Sequence, residues 1–192
     1  MMCCVQYSTS SHWQNDKLYS WELMENITFE EAIAYTEEIL LRKDLSDDQL
    51  ESEISKLVQT VNGARGFFVC FLTGEWHLAD APNISVIRAL QSAPKAIAEL
   101  LVKNLAMSTA MAITHRRSGN IEQADGSHRV AKRTALLIEK VDLTEVRTIA
   151  IQVKEAAISN TGAYVDFLER WGYDAEQKQA ISQVLTTVIT HV

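Results

Sequence analysis

The feature that most constrains the fold is a long apolar stretch near the middle of the chain, at residues 97–117. Its central part, from Asn104 to Thr114, contains no charged residue and consists mostly of small side chains and methionines. Small side chains let neighbouring backbones approach closely, and the larger apolar residues fill the remaining space. Charge returns abruptly at residues 115–117, where cations favour a helix C-terminus. We therefore expect a central, buried helix that ends there.

The rest of the sequence predicts further helices. Only two prolines and seven glycines interrupt the 192 residues, and the contents of 47% hydrophobic and 22% charged residues are ordinary for a globular protein. A chain of this length can bury a substantial core without disulfides or metals. We predict an all-α protein with an irregular N-terminal arm at 1–26, whose aromatic side chains dock on the body. A single helical domain at 27–192 follows, as a bundle of about seven to eight helices around the central one.

Local signals predict several helix ends. Thr28 and Ser46 each begin a capping box, with Glu31 and Gln49 at its third following position, which predicts two amphipathic helices joined as an antiparallel hairpin. The pair Asn62-Gly63 predicts the end of the second helix.

Further along the chain, Asp80 and Asn83 are candidates for capping a short helix, and Pro94 suits the first turn of the central helix. The sequence Asp125-Gly126-Ser127 predicts a new helix start. That helix carries Val130, Leu137 and Ile138 on its apolar face.

The most hydrophobic run, at residues 66–74, is rich in aromatic and β-branched side chains. Such a composition suits a buried strand, and Thr73-Gly74 suits the turn of a short hairpin within 67–79. Periodicity alone does not separate a buried strand from a buried helix. We favour a helix, because no other segment predicts a partner strand and a two-stranded sheet alone is marginal.

Cationic residues concentrate between 115 and 133, at the end of the central helix and the start of the next. If these helices pack antiparallel, the cations at their adjoining ends come together beside the amides of a helix that starts near Ser127. Guanidinium groups and free amides can hold a phosphate or a carboxylate. The alternative is a set of solvated charges that favour a helix end. The sequence predicts an anion-binding or partner-binding site formed by Arg116, Arg117, His128, Arg129, Lys132 and Arg133.

Two of these residues, Arg129 and Arg133, lie off the apolar face of their helix, so we expect both to be dispensable for folding. A second segment of opposite charge extends from Glu22 to Glu53, where carboxylates far outnumber cations. Acidic and basic surfaces on one chain favour self-association or docking on a charged partner, although capping preferences explain several of the carboxylates.

Catalytic and metal-binding signatures are weak. Ser92 and Lys95 match S-x-x-K, and Ser118-Gly119-Asn120 loosely resembles the second motif of that enzyme class, but no K-T-G follows and Pro94 explains the segment as a helix start. Cys70 lies in an apolar run, which favours a core residue over a nucleophile. His77 and Asp80 lack a nucleophile at an informative spacing. The sequence predicts no catalytic residue, no metal ligand and no cofactor.

Three segments together resemble an uncharacterised all-helical protein family associated with cyanobacteria. They are RGFFVCFLTG, LLVKNLAMSTAMAITHRR and FLERWGYDAEQ, which lie between Arg65 and the C-terminus. The resemblance implies one continuous helical domain. It brings no activity, cofactor or site residue.

The composition limits location and partners. The formal charge of −7 argues against general nucleic-acid binding, and we expect no membrane span because charged residues interrupt the longest apolar run. Three cysteines without metal-type spacing and an N-terminus without a secretory h-region predict a cytoplasmic protein. We expect an interaction or regulatory module without catalytic activity that binds another copy of itself or another protein. The alternative is a protein or enzyme that binds a small anionic molecule at the basic cluster.

Overall fold

The computed structural model describes residues 24–191, and this part of the chain contains ten α-helices and no β-strand. The predicted all-α bundle is confirmed; the structure has ten helices where about seven to eight were predicted, and eight of them are longer than six residues. The predicted arm at 1–26 lies outside the described residues except for 24–26. The helices are α1 (Phe29–Leu41), α2 (Asp47–Leu57), α3 (Val61–Thr73), α4 (His77–Asp80), α5 (Ile84–Gln91), α6 (Pro94–Arg117), α7 (Ile121–Val141), α8 (Thr144–Ser159), α9 (Val165–Arg170) and α10 (Ala175–His191).

Helix α6 is the centre of the main bundle. It packs most extensively against α7, and also against α8 and α10, which contact each other. Ala106 and Ala110 are fully buried on α6, together with larger side chains such as Leu101 and Leu105. The helix starts at Pro94 and ends at Arg117. Both the buried central helix and its two ends are therefore confirmed.

Helix α6 is also long and apolar enough to cross a membrane by length and composition, with a mean hydropathy of 1.4 over its most apolar window. The charged residues that interrupt this run therefore do not keep the helix below the length and hydropathy of a span, and the expected absence of a membrane span stays a prediction. Half of that window is buried inside the protein. A core helix of a soluble protein passes the same test, so the finding is weak support for a membrane span.

A second layer covers the bundle, built on a close contact between α1 and α3. The amide of Asn62 donates to the carbonyl of Ile27, and one turn further along α3 Gly66 lies against Ala32, so the two helices run parallel. A Cβ at Gly66 would lie 2.5 Å from the Cβ of Ala32. The α1–α3 approach therefore requires glycine at this position.

The two predicted capping boxes are confirmed at Thr28 and Ser46, with side chain and backbone bonded reciprocally at both. The predicted hairpin is only partly present. The helices α1 and α2 meet where the hydroxyl of Tyr35 donates to the buried carboxylate of Glu53, but α1 packs mainly on α3 and α2 mainly on α5.

The sequence misplaced two helix ends. Asn62-Gly63 does not end α2 but lies in the first turn of α3, whose cap is Thr60. A Cβ at Gly63 would lie 1.9 Å from the carbonyl oxygen of Leu57, so the glycine allows a tight approach between consecutive helices.

The run at 66–74 belongs to α3 up to Thr73, and the possible hairpin within 67–79 is absent.

The helix predicted to start at 125–127 begins earlier, at Ile121. The side chain of Asn120 caps it by accepting from the amide of Gln123 at 3.1 Å. Asp125, Gly126 and Ser127 therefore lie inside α7. The apolar face expected for this helix is present, with Leu137 and Ile138 buried and Val130 partly buried.

Candidate functional site

The predicted basic cluster lies where α6 ends and α7 begins, and the structure divides its six residues into two groups. Arg117, Arg129 and Arg133 form ion pairs within the protein. We call these three the internal arginines because their partners belong to the protein itself; only Arg133 is buried, and the side chains of Arg117 and Arg129 are 45% and 41% exposed. Arg116, His128 and Lys132 are exposed to solvent. We call this second group the basic face.

Arg133 is buried, with 3% of its surface exposed. Its Nε and Nη2 atoms bind both carboxylate oxygens of Asp80, at 2.8 Å and 2.9 Å. Its Nη1 atom donates to the carbonyl oxygens of Leu72 and Gly74, at 2.9 Å and 2.6 Å. Arg133 thus binds carbonyl groups at the C-terminal end of α3 and attaches α4 to α7. The premise behind the expected dispensability of Arg133, that it lies off the buried face of its helix, was wrong, because its side chain is buried among these partners.

Arg129 contacts the same segment from one turn earlier on α7. It pairs with Glu75 and donates to the carbonyl oxygen of Thr73 at 3.3 Å. Within this segment, the indole of Trp76 donates to the carbonyl oxygen of Cys70 at 2.9 Å. The end of α3 is therefore held by two arginines and one tryptophan.

Arg117 joins the end of α6 to the start of α10 through ion pairs with Asp174 and Glu176. Asp174 and Gln177 form a reciprocal capping box there, with both bonds at 3.0 Å. The Gln177 side chain also donates to the carbonyl oxygen of Ala110 at 3.1 Å and to the Thr114 hydroxyl at 2.7 Å. This junction fastens two long helices of the bundle.

These contacts lower the pKa values of two carboxylates. The hydrogen bonds from Arg133 lower the pKa of Asp80, and those from Arg117 lower the pKa of Asp174. In the same contact, the pKa of Arg117 is raised. All three groups therefore stay charged at neutral pH, with Asp80 paired to Arg133 and Asp174 paired to Arg117.

The basic face has a different geometry. Arg116 Nη2 lies 3.1 Å from His128 Nε2, so the end of α6 touches the first half of α7. Lys132 lies one helical turn after His128, which places both on one face of α7. Among the described residues, no carboxylate forms an ion pair with Arg116 or Lys132. These cations can therefore bind a carboxylate or phosphate from outside.

One part of the predicted anion site is missing. The prediction used free amides of a helix start near Ser127, but this segment lies within α7, whose interior amides form the hydrogen bonds of the helix. Anion binding at the junction would depend on side chains alone. The assignment of all six residues to an anion or partner site remains a prediction.

The other residues considered for chemistry are held in structural contacts. The Ser92 hydroxyl donates to the carbonyl oxygen of Ala89 at 2.7 Å. Burial raises the pKa of the Cys70 thiol to about 11. Asp80 is paired with Arg133 rather than with His77. Within residues 24–191, no three His, Cys, Asp or Glu side chains cluster in a way that would hold a metal ion.

An open groove of about 660 Å³ lies between α8 and α10, where Ile158, Lys178 and Gln183 contribute to its wall. None of the six predicted site residues lines it. Sequence reasoning missed the acceptors of the internal arginines, namely Glu75, Asp80, Asp174 and Glu176. Of these, Asp174 carried a local signal as the first residue of a D-x-x-Q capping box, and Asp80 was predicted only as a helix cap, a role that Asn83 has in the structure.

A family model described as uncharacterised conserved protein UCP020893 matches residues 28–188. The chain belongs to this family. The match begins at the cap of α1 and ends within α10, so it extends well before Arg65, where the sequence resemblance began. Among curated proteins and among solved structures, nothing matches the chain.

Proposed function

We propose that this member of the UCP020893 family is a non-catalytic helical module that binds an acidic partner protein through its basic face. The observation that carries this function is the division of the basic cluster. All three internal arginines are paired with carboxylates of the protein itself, whereas Arg116 and Lys132 are exposed and pair with no carboxylate among the described residues.

The charge of the whole protein makes the basic face selective. The net charge of −7 repels an acidic partner at long range, so attraction is confined to the surface around Arg116, His128 and Lys132. Exposed ion pairs are individually weak and are screened by salt. Binding should therefore be modest, directed to one face and sensitive to ionic strength.

A second copy of this chain is one acidic partner that meets these requirements. Residues 24–60 contain ten carboxylates against three cations, and most of these carboxylates are exposed on α1, α2 and the loop between them. Homo-oligomerisation through these two surfaces is thus part of the proposed function, as are the cytoplasmic location and the cyanobacterial association expected from the sequence.

The test compares two double variants that remove the same charge. Arg116→Gln with Lys132→Gln changes the basic face, and Lys43→Gln with Lys95→Gln changes exposed lysines elsewhere. Binding of a short oligoglutamate peptide is measured by isothermal titration calorimetry at low salt. We expect the first pair to weaken binding by about five- to thirtyfold, as expected from losing two exposed ion pairs. We expect the control pair to leave binding within about twofold.

Three outcomes separate the alternatives. Equal effects of the two double variants would mean that net charge alone governs binding, which contradicts a specific basic face. Absence of oligoglutamate binding by the parent protein would also contradict the proposed function. Saturable sulfate binding at the basic face, with no peptide binding, would instead support the alternative of a small-anion site. Sedimentation of the parent and of the first double variant shows whether self-association uses the same face.

A further inference from the structure

The outward face of α8 carries two exposed isoleucines. Ile151 and Ile158 have 36% and 66% of their surface exposed, and they lie two helical turns apart on one side of the helix. Other exposed large apolar residues of the described chain, such as Val61, Ile84 and Ile121, lie singly at the first position of a helix. Single exposed apolar side chains are normal, whereas a pair on one helix face indicates a surface that another molecule covers.

Two residues of opposite charge lie between these isoleucines. Lys154 and Glu155 share their face of α8, because positions i, i+3, i+4 and i+7 of a helix are neighbours. Glu155 is exposed and Lys154 is partly exposed. Within residues 24–191, neither side chain forms an ion pair with another charged residue. This cation and this carboxylate are therefore available to a partner.

The four residues form a symmetric pattern, I-x-x-K-E-x-x-I. The midpoint between Ile151 and Ile158 is also the midpoint between Lys154 and Glu155. If two α8 helices pack antiparallel about a two-fold axis through this midpoint, Ile151 of one copy meets Ile158 of the other. Lys154 of one copy then meets Glu155 of the other, and each contact occurs twice. The face is therefore complementary to itself, both in its apolar positions and in its charges.

Helix α10 lies beside this face and adds almost no charge to it. Arg147, one turn before Ile151, donates to the carbonyl oxygen of Ile189 near the end of α10, and Ile158 contributes to the groove at the start of α10. From Gln179 to Thr190, α10 contains no Asp, Glu, Lys or Arg, and its exposed residues are glutamines and threonines. Two copies with a net charge of −7 repel each other, and an uncharged surface does not add to this repulsion.

We propose that two copies of this chain associate through a two-fold contact between their α8 helices, with α10 at the rim. The contact is separate from the basic face and does not depend on binding of an acidic partner there. Helix α8 has 16 residues and is about 24 Å long, and together with α10 it forms a face about 20 Å wide. The dimer would bury about 1,000 Å² in total, less than most stable complexes. We therefore expect a weak dimer, with a dissociation constant of about 100 μM.

Sedimentation equilibrium of the full chain, from about 10 μM to about 1 mM, measures this dimer. In about 0.5 M salt the apolar contact persists, whereas ion pairs of the basic face are screened. Ile158→Asp places a carboxylate against Ile151 at two equivalent positions and should weaken the dimer by about tenfold or more. Ile84→Asp makes the same change at an isoleucine of similar exposure on α5, and it should leave the dimer affinity within about twofold.

Charge reversal tests the two-fold register at about 50 mM salt, where exposed ion pairs are less screened. All variants carry Arg116→Gln with Lys132→Gln, which removes the basic face. Lys154→Glu sets carboxylates against each other and Glu155→Lys sets lysines against each other, so each should weaken the dimer about four- to thirtyfold. Mixing these two variants should restore the affinity of the background protein, because every pair in the mixed dimer is again of opposite charge. The double reversal of Lys154 and Glu155 should restore it as well.

The outcomes decide the inference without involving the basic face. A parent protein that stays monomeric at about 1 mM would contradict the inference and leave the face to a helix of another protein. A dimer that Ile158→Asp does not weaken, or charge reversals that neither mixing nor the double reversal rescues, would show that another surface or register is used, which also contradicts it. Failure of oligoglutamate to bind would contradict only the proposed function. Circular dichroism confirms that each variant remains folded.

Discussion

Lys132 and Arg133 are adjacent in sequence and similar in charge, yet the structure places them in opposite environments. Lys132 is exposed, whereas the side chain of Arg133 is buried and each of its terminal nitrogens and its Nε has a partner. The difference follows from helical geometry, because consecutive residues differ by about 100° around the axis. A basic run on a helix is therefore not one site but two faces, and the inward face serves the fold.

The largest effect should come from the buried member of this pair. Arg133→Gln removes the ion pair with Asp80 and leaves two carbonyl oxygens at the end of α3 without their donor. We expect a loss of about 3 kcal/mol in the free energy of unfolding. Lys132→Gln should change it by less than about 0.5 kcal/mol. Urea denaturation followed by circular dichroism measures both, and equal effects would refute the division of the cluster.

A smaller effect on stability, one that depends on pH, distinguishes the internal Arg117 from Arg116 of the basic face. Because the folded protein lowers the pKa of Asp174, the stabilisation from this ion pair is complete above the unfolded value near 4 and is lost as pH falls through the lowered value. Arg117→Gln should therefore lower the Tm at pH 7, and its difference from the parent should shrink towards about pH 3. Arg116→Gln, at a residue that forms no ion pair with a carboxylate of the described part of the chain, is the control.

For Arg117→Gln, thermal melts at several pH values provide the measurement. The decrease at pH 7 should be smaller than that of Arg133→Gln, because Arg117 and its two partners are substantially exposed. A difference between parent and variant that stays constant from pH 7 to about pH 3 would show that the ion pair with Asp174 does not stabilise the fold.

The smallest effect on stability concerns a buried polar group that, unlike Arg133, has no hydrogen-bond partner among the described residues. The Tyr173 hydroxyl is buried without a hydrogen-bond partner among the described residues, and burial raises its pKa to about 12. Removing an unsatisfied hydroxyl removes a desolvation cost. Tyr173→Phe should therefore leave stability unchanged or raise it by up to about 1 kcal/mol. A loss above that size in urea denaturation would reveal a partner for this hydroxyl.

The sequence predicted those features of the fold that depend on neighbouring residues. The caps at Thr28, Ser46 and Asn83 and the proline start at Pro94 each involve contacts within one helical turn, so their spacing is visible in the chain. The uncharged central run likewise predicted the buried core of α6. Gly63 was misread because its role is a close approach to Leu57, which depends on how two helices meet.

The candidate site was less predictable, because its organisation depends on distant residues. Arg133 and Asp80 are 53 positions apart, and Arg117 and Asp174 are 57 apart. No local pattern indicates which arginine reaches which carboxylate. The sequence located the basic cluster, but only the packing of α3, α4 and α10 on its helices separated the internal arginines from the basic face.

The parallel arrangement of α1 and α3 has a consequence for the order in which the protein acquires its structure during synthesis. Helix α1 is 13 residues long, and a helix of this length is marginal in water without a packing partner. Its main partner surface, around Gly66, emerges from the ribosome only after all of α2 has been made. The carbonyl groups at the end of α3 lack the Arg133 donor until that residue has been synthesised, more than fifty residues later. The N-terminal layer therefore depends on later parts of the chain, and a ribosome that stalls before α7 exposes an acidic, half-assembled helical segment to the chaperones and proteases of the cell.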